Sequence, residues 1–144
     1  MKGMTIIVKT IARLLVGLIV LYGLYIVLNG HLTPGGGFAG GVILSAAFVL
    51  LLLAYGSEIA SRKMSEPLDH ALESLGGIAF LTIVLLGFAG GYAFFNFLSK
   101  GEPFGLFSGG IIPLCNISIG VKVGAGLFAI FLALVLGSPK IRQK

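Results

Sequence analysis

The sequence predicts an all-α polytopic membrane protein: four transmembrane helices in a single domain over residues 1–144, with both termini cytoplasmic. Three observations carry this. Hydrophobic residues make up 57% of the chain and charged residues 10%, with a mean hydropathy of +1.08, far from the roughly one-quarter charged composition of soluble domains. Four apolar segments approach or exceed the roughly 17 to 25 residues needed to cross a hydrocarbon core about 30 Å thick. The basic residues gather on one side of those segments, as in cytoplasmic loops.

The first segment runs from Ile11 to Leu28. No small-residue cleavage site follows it at the usual distance, so it reads as a retained span rather than a signal peptide. The second runs from Gly40 to Gly56, the third from about Leu75 to Leu98 and the fourth from about Ile117 to Leu136. A spanning segment must satisfy its own backbone hydrogen bonds, and the strict alternation of barrel strands is missing, so all four are expected to be helices. The fourth has an alternative start near Ile111, because Pro113 is tolerated in a first helical turn, where its missing N–H has no partner to lose. The longest polar connection, Ser57 to Ser74, is too short to build a soluble core.

Orientation follows from charge. Lys2, Lys9 and Arg13 precede or open the first helix, Arg62 and Lys63 separate the second from the third, and Lys140, Arg142 and Lys144 follow the fourth. Those eight face one lysine, Lys100, on the other side, while Lys122 lies within the fourth segment. The net charge of +5 is therefore topological and gives no reason to invoke nucleic acid, since the bases are dispersed and lack aromatic interleaving. No metal site is expected: His31 and His70 fall on opposite sides and Cys115 is the single thiol, so no zinc-type ligand set assembles and no intrachain disulfide forms. An enzyme is not expected either, since no nucleophile, base and orienting group can be placed together on one side.

The first outward connection, GHLTPGGGFAGG, concentrates glycine around one histidine. Aligning Pro34 with Pro103 pairs Phe38 with Phe107, Gly40 and Gly41 with Gly109 and Gly110, and Ile43 with Ile112. That points to two helical hairpins related as parallel repeats. His31 has an unperturbed pKa near physiological pH, and Thr33 with the Gly35, Gly36 and Gly37 amides beside it could hydrogen-bond an ion or its water shell. The alternative is a histidine that only fixes a tight turn. Lys122 is the leading candidate for a polar pathway, because an ammonium in hydrocarbon is costly and seeks a partner, a bundle interior or water. Its alternative is snorkelling to the outer interface. No carboxylate of the chain is an obvious partner for a deep Lys122, so one is expected from another subunit. Glu73 opens the third helix, where the helix dipole favours an acid, or else marks a cation or proton access point. Glycines four apart, as in Gly36/Gly40, Gly37/Gly41, Gly87/Gly91 and Gly120/Gly124, suit close helix packing. They exceed the expected needs of so small a fold, so the chain reads as a subunit of something larger.

Two motifs, GHLTPGGGFAGG and FSGGIIPLCNISIGVKVGAGLF, together with the four spans, resemble the B subunit (MrpB, or MnhB) of Mrp-type multisubunit cation/proton antiporters over essentially the whole chain. The resemblance implies a small hydrophobic subunit of a prokaryotic plasma-membrane complex with Na+ and H+ as transported ions and no cofactor of its own. Its implied partners are large antiporter-like subunits, similar to those of respiratory complex I and carrying proton translocation, other small hydrophobic subunits, and lipid. The family's marked positions would fall on His31, Thr33, Pro34, Gly35, Gly36, Phe38, Asn116 and Lys122. Ala39 departs from the larger, often polar residue the pattern leads one to expect. Mrp-like modules also serve energy-converting membrane hydrogenases and sulfur-reducing complexes, where hydrogenase or iron–sulfur subunits would be neighbours and this chain would carry no redox site. A purely structural spacer remains a further alternative.

Overall fold

The computed structural model describes residues 4–56, 66–92, 94–106 and 108–137. They form four helices: α1 (Ile6–Leu28), α2 (Gly36–Tyr55), α3 (Glu66–Ala89) and α4 (Ile112–Gly137). Each contains a stretch long and apolar enough to cross a membrane. The all-α, four-span expectation holds among the described residues, but the boundaries move outward. Lys9 and Arg13 lie inside α1 rather than before it, because long basic side chains can lie along apolar surface while their charge stays wet. The third helix begins nine residues earlier than expected, at Glu66 instead of Leu75. Acidic residues in a first turn and a proline at its start, here Pro67, promote a helix N-terminus rather than a loop.

The third helix also ends at Ala89, not Leu98. Gly90 and Gly91 follow, and Gly91 takes a φ of 102° that side-chain-bearing residues resist. At the other glycine turn Gly35 and Gly36 hold φ values of 112° and 56°, and α2 starts there, four residues before the expected Gly40. The fourth helix begins at Ile112, the earlier of the two starts considered, with Pro113 in its first turn.

α1 and α2 form an antiparallel hairpin. Its open end is tied by a hydrogen bond from the Met4 N–H to the Ala54 carbonyl at 2.9 Å, and the Lys9 ammonium lies 5.8 Å from the centre of the Tyr55 ring, within cation–π range. α2 and α4 run parallel and in register. Gly37 meets Asn116, and Gly41 meets Gly120 and Gly124. Toward the termini the contact widens into side chains: Phe48 and Phe128 pack edge to face at 5.8 Å, and Leu52, Phe128 and Leu132 form the buried core. α3 packs antiparallel on α4. The molecule is thus built outward from one parallel pair, with α1 and α3 on its flanks.

Two expectations fail here. The glycine pairs of α2 and α4 are taken up by contacts within this chain, whereas Gly91 has open space beside it. An added methyl at Gly40 would run into Val27, and one at Gly41 would come within 2.8 Å of the Gly120 carbonyl, so these glycines serve contacts inside this chain. The repeat alignment is also not the structural one. Gly40 and Gly41 lie within α2, whereas Gly109 and Gly110 precede α4. The alignment's Phe107 lies outside the described residues. α2 and α4 lie side by side and parallel, with Gly37 against Asn116 and Gly41 against Gly120.

Candidate functional site

The residues singled out from sequence separate into two places. One is a clasp where the α1–α2 turn meets the segment before α4. The other is an ion pair between α3 and α4.

At the clasp, Asn116 is buried on α4, and its Oδ1 accepts a hydrogen bond from the Gly37 N–H at 3.2 Å. The first amides of a helix have no intrahelical acceptor, and α2 has no side-chain cap of its own, so Asn116 caps it from a neighbouring helix. Gly37 allows this because its Cα sits directly on the Asn116 backbone, where a methyl would overlap the carbonyl oxygen. His31 Nε2 lies 3.1 Å from the Gly105 carbonyl oxygen and so donates to it, while its ring packs on Gly109. Thr33 turns its hydroxyl back onto the Asn29 carbonyl at 3.0 Å. The half-exposed or better Phe38 faces outward at 64% exposure. His31 Nδ1 and Asn116 Nδ2 are buried without a hydrogen-bond partner. Asn96, not foreseen from sequence, completes the clasp: its Oδ1 accepts from the Ile111 N–H at 3.2 Å, and its side chain fills the space beside Gly110.

The second place corrects an expectation. Lys122 does have a carboxylate partner within the chain: its Nζ lies 3.8 Å from Glu73 Oε1. Because α3 starts at Glu66, Glu73 does not open the helix but lies two turns inside it. Antiparallel packing then brings it beside Lys122, and its carboxyl also lies against Gly126. Lys122 is ten residues into α4, about 15 Å from the helix start at 1.5 Å per residue and so about halfway through the hydrocarbon. Its ammonium lies over Gly77 and within 3.8 Å of Glu73 Oε1.

Two glycines that sequence reading passed over make this geometry. A methyl on Gly76 would lie 2.8 Å from the Ser118 carbonyl and 2.9 Å from the Lys122 nitrogen, and one on Gly77 would lie 3.4 Å from Nζ. The first lets the backbones touch and the second leaves a shelf for the lysine. At 3.8 Å and an effective dielectric near 20 the attraction is about 4 kcal/mol, less wherever polar groups reach it, for the two side chains are 51% and 40% exposed. Asn116 is six residues from Lys122, about 9 Å along the axis, so clasp and ion pair are separate. Among the described residues no group of three or more His, Cys, Asp or Glu side chains could hold a metal ion.

A family model described as a domain related to the MnhB subunit of Na+/H+ antiporter matches residues 7–129. The chain belongs to this MnhB family. An uncharacterised protein of Methanocaldococcus jannaschii is 41% identical over 136 residues, covering 85% of this chain and 49% of that protein. A Staphylococcus saprophyticus protein named as a candidate antiporter subunit, mnhB2, is 36% identical over 92 residues, covering 62% of this chain and 64% of its own length. Among solved structures, a chain of the membrane-bound sulfane sulfur reductase, described as an archaeal respiratory membrane complex, matches with a TM-score of 0.76 and 35% identity. That match covers 91% of this chain and 58% of the other. The chain thus spans between about half and just under two thirds of the length of these relatives. Its family and its four apolar helices make it a multi-pass membrane protein of a prokaryotic type.

Proposed function

We propose that this MnhB-family chain is a small membrane subunit of a multisubunit Na+/H+ antiporter in the prokaryotic cell membrane, and that it contributes to assembly and to the cation path. The chain carries no reaction of its own in this reading; Na+ and H+ are cargo of the complex, and large antiporter-like subunits with other small hydrophobic subunits are its partners. Its termini are cytoplasmic, a reading that leans on the skew of basic residues; Lys2, Arg62, Lys63, Lys140, Arg142 and Lys144 lie outside the described residues.

The observation that carries the cation-path role is the Glu73–Lys122 pair. Ionisable groups inside a membrane are costly and concentrate where ions or protons move. A long, half-exposed pair leaves the carboxylate open to a competing cation. His31, Thr33 and Asn116 have the structural role in this reading, His31 and Asn116 each bonding across the clasp and Thr33 back within its turn, along with the turn residues Pro34, Gly35, Gly36, Gly37, Phe38, Gly40, Gly41, Gly109, Gly110 and Pro113. The test is Na+-driven proton movement in everted membrane vesicles containing the complete complex. Lys122→Ala is expected to abolish antiport while the complex still assembles. Loss of assembly instead supports the spacer reading, and unchanged antiport removes Lys122 from the path.

A second reading is favoured by the match to a chain of an archaeal respiratory membrane complex: the parent is a redox-driven ion pump, and this chain serves its ion-translocating module beside hydrogenase or iron–sulfur subunits. Gentle detergent purification with mass spectrometry separates the two. Antiporter-like membrane subunits alone support the first reading; co-purifying nickel–iron or iron–sulfur subunits support the second.

A further inference from the structure

We propose that the face of α3 and α4 around Glu73 and Lys122 is closed by a transmembrane helix of a second membrane subunit, which sets a carboxylate against the Lys122 ammonium. The proposal rests on the multisubunit reading above and adds which face is covered and by what chemistry.

Lys122 lies about 15 Å into α4, yet its side chain is 51% exposed on the flank of the chain. At that depth an exposed surface meets hydrocarbon unless protein covers it, and an ammonium facing hydrocarbon is costly. Glu73 does not remove the problem. At 3.8 Å the separation exceeds the 2.7–3.2 Å of a hydrogen bond, so the three N–H donors of the ammonium are left unfilled by it.

The two charged ends lie side by side on this flank, 51% and 40% exposed, and one carboxylate at 3.8 Å leaves the ammonium without an acceptor at hydrogen-bond distance. What the face lacks is such an acceptor beside Nζ, and a carboxylate supplies both the charge and the lone pairs. Gly77 leaves the approach open, since no side chain stands between Nζ and the outside at that position. Leu81 on α3 and Ile130 on α4, 56% and 60% exposed, supply apolar surface for the covering helix at either side.

The test uses the complete complex purified from membranes. A photo-reactive p-benzoylphenylalanine replaces Leu81 or Ile130 in separate variants, with Leu18 of α1, 59% exposed, as the position off this face. After irradiation, the cross-linked peptide is identified by mass spectrometry. The expected result is a cross-link from Leu81 and Ile130, but not Leu18, to one membrane-spanning peptide of another subunit bearing Asp or Glu within about two helical turns of the attachment. Lys122→Glu is then expected to lower recovery of that subunit about tenfold, and exchanging the partner's acid for lysine is expected to restore it. Cross-links only to lipid, a covering helix without an acid, or a charge exchange that fails to restore recovery each overturn the proposal. If partner subunits co-purify yet no cross-link forms, the interface fails while the multisubunit reading stands; if no subunit co-purifies at all, both fail.

Discussion

Substituting alanine for Gly37 tests the central contact of the fold. The added methyl has nowhere to go: it overlaps the Asn116 carbonyl oxygen and lies 2.8 and 2.9 Å from the Asn116 Cα and carbonyl carbon. All three are backbone atoms and cannot rotate aside, so α2 must retreat from α4 by several tenths of an ångström or more. That retreat stretches the 3.2 Å bond from the Gly37 N–H to Asn116 Oδ1, whose net worth is about 1 kcal/mol, and adds an overpacking cost of about 1–3 kcal/mol. The sum is roughly 2–4 kcal/mol of destabilisation. Gly17→Ala is the matched comparison, for a methyl there has no neighbour within 4 Å and alanine improves a helix interior by about 0.5–1 kcal/mol. The assay is unfolding in mild detergent with SDS titration, followed by helicity and by monodispersity on size exclusion. The same chemical change should lower stability at residue 37 and leave it equal or higher at residue 17. If Gly37→Ala is as stable as the parent, the close α2–α4 approach is not what organises this molecule.

Three further outcomes follow from the packing and the ion pair. Lys122→Met should destabilise more than the double variant Lys122→Met/Glu73→Gln, because removing one charge strands the other in the membrane; a double-mutant cycle in detergent–lipid micelles checks this, and additive single effects refute the coupling. Phe128→Ala, which empties a position 2% exposed against Phe48 and Leu52, should cost about 3–5 kcal/mol by the same SDS titration. Asn96→Ala removes the acceptor for the Ile111 N–H and should cost about 1 kcal/mol, with faster hydrogen exchange confined to the start of α4.

The four spans were legible because hydropathy reports what lipid requires, and α1 and α2 needed little more than length and the glycine punctuation between them. The ends were less legible. Glu66, Asp69 and Glu73 look like loop residues when polarity is taken as the boundary, yet acids near a helix N-terminus are favoured, and α3 extends through them. That single error hid the site: with the helix started at Leu75, Glu73 is outside the span and Lys122 has no partner. The Gly76–Gly77 pair carried the missing signal, one turn from Glu73, but its meaning depends on knowing that α4 lies against it. His31 and Asn116 were recognisable as special residues, not as members of one clasp, because their contacts to Gly105 and Gly37 span 74 and 79 positions. Long-range pairing leaves no periodicity in a single sequence.

The cap that Asn116 places on α2 carries a consequence for the order of biogenesis. A helix entering the bilayer with its leading amides unsatisfied is incomplete, and α2 obtains its acceptor from a residue 79 positions downstream. During synthesis the Gly37 amide therefore lacks its Asn116 acceptor until α4 has been made and inserted beside α2. A chain stopped between α3 and α4 holds three of the four helices and lacks that acceptor for the Gly37 amide.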